Sequence, residues 1–294
     1  YLSWRYLFFI NVPVALFVCV YSIYKLPVTD SSNKNITLDL PGISLLTVCL
    51  ASFALVVSES STWGLHSIYT VLFTAVCLLS FLLFYWVETK STNAIIDFKL
   101  FRITNFLTAN IMGIVLYICL SSWIIFSGLY FNNVAHYSAF SIGLTYLPFG
   151  IALILLNLII PKLNSRFSKK TLLCCAAISC CLSFVLMSYS IHTRLNFILY
   201  SVGTLLFGVG FVLINALSVQ HGLKHIPANK INIASGISMM LRWVGAAIGP
   251  PVFVTLLSAL KATSSYSLAM TQCYLVLAGI MLLLLLLILS CSRN

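Results

Sequence analysis

The chain has 294 residues, of which 61% are hydrophobic and only 7% charged, and its 16 Lys and Arg outnumber five Asp and Glu. Soluble domains carry about a quarter charged residues, so this composition excludes a water-soluble globule, a disordered chain and a disulfide-stapled secreted module. The basic excess is also unlike a nucleic-acid-binding face, because the cations stand in small groups between apolar runs. We therefore expect a membrane protein that binds no nucleic acid.

Apolar runs bounded by polar clusters predict nine membrane-spanning segments. A run of roughly 20 apolar residues is long enough to cross the hydrocarbon core of a bilayer. Each is expected to be a helix, because lipid offers no partner for backbone N–H and C=O groups. The predicted spans are 6–26, 42–59, 67–87, 107–131, 140–161, 171–190, 196–219, 232–259 and 268–290. The sequence thus predicts an all-α polytopic membrane protein.

The distribution of cations predicts the orientation of these spans. One set of alternate loops holds twelve Lys and Arg, the other set holds three, and Arg242 lies within a span. Loops rich in Lys and Arg remain in the cytoplasm. We therefore expect Tyr1 to lie outside, the C-terminus to be cytoplasmic, and the protein to reside in the plasma (cytoplasmic) membrane.

The cysteines and histidines do not predict a metal or cofactor site. All ten cysteines lie in or beside apolar runs, where they act as small packing residues. The pairs Cys174–Cys175 and Cys180–Cys181 have no nearby His to complete four ligands. His221 and His225 are four residues apart, but they follow the end of a span beside Lys224, where a solvated interface explains them. We expect no cofactor.

The first residues carry a family resemblance. The segment WRYLFFINVP supplies Trp4, Arg5, Phe9, Asn11 and Pro13 as motif residues. It resembles the start of the sixth span in drug:proton antiporters of the fourteen-span (EmrB/QacA-type) branch of the major facilitator superfamily.

Further positions agree with that family in order and spacing. They are Asp39-Leu40-Pro41-Gly42, Glu59 with Trp63-Gly64, Leu100-Phe101-Arg102 with Asn105-Phe106, Gly143 with Pro148, Gly208 with Gly210, and Ala234-Ser235-Gly236 with Arg242, Gly245 and Gly249. Together they cover nearly the whole chain.

The resemblance implies a division of the chain. The nine spans would be the sixth to fourteenth of fourteen: 1–26 would be the last helix of an N-terminal bundle, 27–106 an extra two-helix hairpin, and 107–294 a C-terminal six-helix bundle. Since the chain also begins with Tyr rather than Met, we expect a fragment of a longer transporter, with the earlier spans missing.

Residues 161–170 (PKLNSRFSKK) resemble a cytoplasmic loop motif of the superfamily, Gly-x-Leu-x-Asp-Arg-x-Gly-Arg-Lys. Leu163, Arg166 and Lys170 match, whereas Ser165 replaces the acid. The ion pair within the loop is therefore lost. A cationic determinant of topology explains the loop better than a gating element.

Arg242 is the most informative single residue, because it stands about 15 Å deep in its span at 1.5 Å per residue. A buried Arg costs on the order of 2.5–3.5 kcal/mol on insertion scales, so it should face the bundle interior or an aqueous cavity. It could contact substrate or a carboxylate across the cavity. Alternatively, it could bond to carbonyls freed near Pro250 and Pro251, or to Asn215.

A GxxxG pattern follows Arg242. Gly245 and Gly249 permit close approach of a neighbouring helix, and Pro250 and Pro251 would bend the helix where its hydrogen bonds are broken. We interpret these four residues as a packing and hinge device.

The resemblance implies that spans 107–131 and 196–219 line a substrate cavity. On the first, Tyr117 and Ser121 share one helical face with Asn110, and Trp123 could add an aromatic surface. On the second, Asn215 is the strongly polar residue at mid-helix. The alternative is that these side chains make ordinary interhelical hydrogen bonds.

The sequence therefore predicts a transporter that exports drugs or other lipophilic small molecules by alternating access in exchange for protons, and we expect no enzymatic activity. Glu59 is interpreted as the only acid close to a span interior, and its position at a turn favours a capped or solvated carboxylate. The proton-coupling acid is thus expected in the missing spans. The alternative is a remnant, or a membrane partner, without transport of its own.

Overall fold

The computed structural model describes residues 9, 11–25, 39–64, 67–90, 98–193 and 195–291. All regular structure in these ranges is helical. The helices are α1 (Asn11–Lys25), α2 (Leu40–Trp63), α3 (Ile68–Lys90), α4 (Thr104–Asn133), α5 (Ala139–Arg166), α6 (Lys169–His192), α7 (Phe197–Leu223), α8 (Ile231–Lys261) and α9 (Tyr266–Cys291), with 3-10 turns at Phe98–Arg102 and Ala228–Lys230. The predicted all-α membrane fold is confirmed.

Eight of these helices, α2 to α9, are long and apolar enough to cross a membrane. The helix α1 is a shorter apolar helix of 15 residues, and it buries none of its side chains. It belongs to a separate unit, residues 1–38, whereas residues 39–294 form the second unit. Nearly all described helices extend past the predicted spans at one or both ends, because polar residues continue the helix beyond the apolar run.

Polar side chains fix the beginnings of three helices. Ser138 Oγ accepts a hydrogen bond from the backbone N–H of Ser141 at the start of α5, and Ser168 Oγ accepts one from Thr171 at the start of α6. Asn196 does the same for α7. Such caps satisfy N–H groups that have no partner within the helix.

Within the second unit, α4 lies against both α7 and α8, while α6 lies between α7 and α9. The helix α5 packs mainly on α7, and much of its surface stays exposed. The hairpin α2–α3 contacts the bundle through α2, which lies beside α8. The helix α8 therefore connects the hairpin to α4.

An unexpected buried acid lies at the end of the hairpin. Glu88, in the last turn of α3, is only 2% exposed. A methyl group at Gly42 would lie 2.9 Å from Asp39 Oδ2 and 3.0 Å from Glu88 Oε2, so both carboxylates pack around this glycine. Glu88 therefore joins Glu59 as an acid near the end of a span, which the sequence did not single out. The burial of Glu88 arises from contact with the start of α2, which the local sequence does not reveal.

Candidate functional site

Arg242 lies in α8 with its side chain buried at 3% exposure. Its Nη2 donates a hydrogen bond to Ser218 Oγ at 3.0 Å, and its Nη1 donates to Asn215 Oδ1. Both acceptors belong to α7. The contact with Asn215 is one of the alternatives that the sequence left open, and the two bonds tie α8 to α7.

Helix α4 supplies the other side of this site. A methyl group at Gly113 would lie 2.9 Å from Arg242 Nε, so the guanidinium stem occupies the space that the glycine leaves. The ring of Tyr117, one turn further along α4, lies with its centroid 6.0 Å from Arg242 Cζ. The structure thus brings together Tyr117, Asn215 and Arg242 from the predicted site residues.

The residues that sequence reasoning missed are Gly113 and Ser218. Their positions carried a signal, because Gly113 stands four residues before Tyr117 and Ser218 three residues after Asn215. Side chains at these spacings share a helix face. Both residues therefore lie about one turn along a helix face that the sequence had already singled out.

The site is electropositive, and its polar groups are only partly satisfied. No acid follows Asp97 in the sequence, so the bundle cannot neutralise Arg242 from its own residues. Buried Arg242 Nε has no hydrogen-bond partner. Asn110 is 2% exposed; its Nδ2 donates to Phe106 O at 2.8 Å, but its Oδ1 is also without a partner. Leaving such groups unpaired costs about 1–3 kcal/mol each.

An aromatic contact links the polar site to a cavity between α2 and α8. Tyr117 packs edge-on against Trp243 with a centroid distance of 5.8 Å. Trp243 is 63% exposed and lines a cavity of about 360 Å³ between α2 and α8. The lining residues are Leu50, Phe53, Ala54, Val57, Met240, Trp243, Val244, Ala247 and Ile248. The order from the cavity inwards is therefore Trp243, Tyr117 and Arg242.

The GxxxG residues lie at the contact between α8 and α4. A methyl group at Gly245 would lie 2.6 Å from Ile114 O, and one at Gly249 would lie 2.6 Å from Ile118 O and 2.7 Å from Ser121 Oγ. Ser121 Oγ donates to Tyr117 O at 2.9 Å. The structure therefore places Ser121 at the helix contact, a turn along α4 from the Arg242 site.

Trp123 belongs to a different cluster. It is 1% exposed, and its Nε1 donates to the Tyr200 hydroxyl at 3.3 Å. Its ring packs against Tyr146 and Phe207 at centroid distances of 5.2 and 5.3 Å. Six residues at 100° each carry Trp123 well away from the face of Tyr117, so the structure places it in the aromatic core and not beside Arg242.

The remaining predicted residues are dispersed. Pro250 and Pro251 lie inside α8, which continues without interruption to Lys261. Arg166 is the last residue of α5 and is exposed.

The motif at the start of the chain is only partly described. Trp4 and Arg5 lie outside the described residues, whereas Asn11 and Pro13 begin α1 and are exposed. Phe9 is 65% exposed. The motif spacing Trp-Arg-x-x-Phe assigns the phenylalanine to position 8, so Phe9 is one residue out of that register.

Comparisons with known proteins point to one family. A family model described as the Major Facilitator Superfamily matches residues 1–250. The quinolone resistance protein NorB of Staphylococcus aureus (strain MRSA252) is 26% identical over 262 residues, which is 84% of this chain and 54% of NorB. The multidrug resistance protein Stp of Mycobacterium tuberculosis is 26% identical over 263 residues, which is 89% of this chain and 48% of Stp. The chain spans about half the length of these curated relatives.

A solved structure has a similar fold. The crystal structure of the nucleoside transporter NupG matches with a TM-score of 0.56 and 17% sequence identity, covering 86% of this chain and 64% of NupG. At this identity the likeness concerns the fold alone.

Proposed function

The chain belongs to the Major Facilitator Superfamily, and on this premise we propose that it forms spans six to fourteen of a fourteen-span exporter of lipophilic small molecules. In this proposal, residues 1–26 close an N-terminal bundle, 27–106 form the intervening hairpin and 107–294 form the C-terminal bundle. The C-terminus is cytoplasmic, and export proceeds by alternating access in exchange for protons.

The observation that carries the proposal is the alignment with two relatives named for drug resistance, which extends over 84% and 89% of this chain. The composition supports a small-molecule pathway within a membrane, since eight apolar helices are long enough to cross it.

The geometry suggests how the C-terminal bundle contributes to substrate binding. The cavity between α2 and α8 is apolar, so it suits lipophilic compounds, and Trp243 on its wall contacts Tyr117. Tyr117 in turn lies over Arg242. In the conformation described, Arg242 is enclosed, so its positive charge acts on a substrate in the cavity through its electrostatic potential. Direct contact between Arg242 and a substrate requires α4 and α8 to move apart. A negative or zwitterionic lipophile is favoured over a cation of the same size.

Proton coupling needs an ionisable group in the transport pathway. The C-terminal bundle has no acid, so we assign the coupling acid to spans that precede this chain in the full transporter. Glu88 is buried but lies at the end of the hairpin. The variant E88Q should therefore leave the proton dependence of export unchanged. If export by E88Q no longer depends on protons, the coupling acid is Glu88.

Deletion of the gene in the cells that produce the protein tests the proposal. The deletion strain should accumulate more of a lipophilic fluorescent substrate than its parent, and the gene supplied in trans should restore the lower level. A protonophore should abolish the difference between the two strains. If deletion changes the accumulation of none of a panel of anionic, zwitterionic and cationic lipophiles, the chain is a remnant or a partner without transport, and the export proposal fails.

A further inference from the structure

The turn between α5 and α6 concentrates positive charge. Lys162 and Arg166 end α5, and Lys169 and Lys170 begin α6; all four are exposed. Lys162 and Arg166 are four residues apart on one helix, where like charges repel. Cations at the first turn of a helix also oppose the positive end of the helix dipole. No acid follows Asp97 in the sequence, so no carboxylate of the bundle offsets this charge.

Two of these cations, Lys162 and Arg166, line a pocket. It has a volume of about 430 Å³ and is formed by Ile159, Lys162, Leu163, Ser165, Arg166 and Phe167. Ser165 Oγ donates its only proton to Lys162 O at 2.8 Å, so the donors left for an anion in this pocket are the cationic heads of Lys162 and Arg166. The pocket is therefore polar and positive on one side and apolar on the other, where Phe167 is 52% exposed.

An apolar stripe leads from this pocket along α5. Ile151, Leu155 and Leu158 are 49%, 53% and 73% exposed and are followed at helical spacing by Lys162 and Arg166. At 1.5 Å per residue the stripe extends about 16 Å from Ile151 to Lys162, which is half the thickness of the hydrocarbon core. A cationic head site at the end of an apolar strip of this length matches the two parts of a phospholipid.

We propose that the pocket at the α5–α6 turn binds the phosphate headgroup of an anionic phospholipid, whose acyl chain lies along the exposed stripe of α5. The replacement of the loop acid by Ser165 makes this possible, because a carboxylate at that position would neutralise Arg166 from within the chain. The proposal does not depend on which substrate the protein exports. A role in topology alone requires cations but neither a pocket nor headgroup selectivity.

The purified protein can be titrated with phosphatidylglycerol and phosphatidylcholine, with bound lipids resolved by native mass spectrometry. The first phosphatidylglycerol should bind more tightly than the first phosphatidylcholine. In K162Q/R166Q, affinity for phosphatidylglycerol should fall about thirty-fold, equivalent to roughly 2 kcal/mol at about 1 kcal/mol for each cation near an anionic surface. Affinity for phosphatidylcholine should not change. K261Q, which removes a cation from the end of α8, should also have no effect.

A matched pair of single variants tests the charge argument without removing either cation. S165D should weaken phosphatidylglycerol binding several-fold, whereas S165N, which has nearly the same size, should not. Glycerol phosphate distinguishes the source of the phosphate: as a headgroup without acyl chains, it should not displace the lipid at millimolar concentration. Displacement would show a site for free phosphates and overturn the lipid assignment. Unchanged lipid selectivity in K162Q/R166Q, or equal effects of S165D and S165N, would overturn the proposal.

Discussion

The contact between α4 and α8 provides the sharpest test of the packing, through the substitution Gly249→Ala. The added methyl group would lie 2.6 Å from Ile118 O and 2.8 Å from Ser122 Oγ. A serine hydroxyl can rotate away, but a backbone carbonyl moves only with its helix. Relief therefore requires α4 and α8 to separate by about 0.5 Å or more along a tightly packed interface.

The expected magnitude follows from two opposing terms. Overpacking of this kind costs about 1–3 kcal/mol, while replacing Gly by Ala in a helix gains up to about 1 kcal/mol. Gly236 on the same helix provides the matched control, because a methyl group there would meet nothing within 4 Å. The helix-propensity gain is common to both variants, so G249A should be less stable than G236A by about 1–3 kcal/mol.

The free energy of unfolding can be measured by titrating the detergent-solubilised protein with SDS and following helicity by circular dichroism. G236A should be as stable as the unmodified protein or more stable, and G249A less stable than both. G245A should behave like G249A, since its methyl group would lie 2.6 Å from Ile114 O. A difference between G249A and G236A below about 0.5 kcal/mol, the usual scatter of surface substitutions, would refute the argument.

Three further outcomes are expected. N215A removes an acceptor of Arg242. It should lower the free energy of unfolding, measured by SDS titration, by about 1.5–3 kcal/mol, the range for hydrogen bonds to charged groups. An unchanged free energy of unfolding would contradict the stabilising role of this bond. The sulfur atoms of Cys49 and Cys77 are 3.9 Å apart, so a short bifunctional thiol reagent should cross-link them, and C77S should abolish the mass shift of the cross-linked peptides. W123F retains a packed ring but loses the indole hydrogen bond, so the free energy of unfolding should fall by about 1 kcal/mol. A fall of more than about 3 kcal/mol in the same SDS titration would show that the shape of the ring matters more than the hydrogen bond.

The helices could be predicted from the sequence because hydropathy over 20 residues is a property of the segment itself. The boundaries were less accurate: α4 was predicted over 107–131 and occupies Thr104–Asn133. Helix ends depend on capping and on the loops that follow. A polar residue can extend a helix by one position without extending the apolar run from which the helix was predicted. The same limit applies to α8, predicted over 232–259 and observed over Ile231–Lys261.

The site could be predicted only in part, because burial arises between helices. The sequence identified Arg242 and its contact with Asn215 as one of several alternatives, since an Arg at mid-span needs a polar partner. It could not show that Gly113 makes room for the guanidinium, or that Glu88 is covered by the start of α2. Both facts depend on which helix faces meet.

The order of synthesis gives the Arg242 site a further consequence. The helix α8 is the least hydropathic of the eight spans, at 1.7 compared with 2.8 for α9, and it also carries an arginine at mid-span. Its acceptors on α7 and the space at Gly113 on α4 all precede it in the chain. When α8 leaves the translocon, the groups that shelter its charge are already in the bilayer. Insertion of α8 should thus depend on α4 and α7 being in place, which couples the biogenesis of this span to the assembly of the bundle.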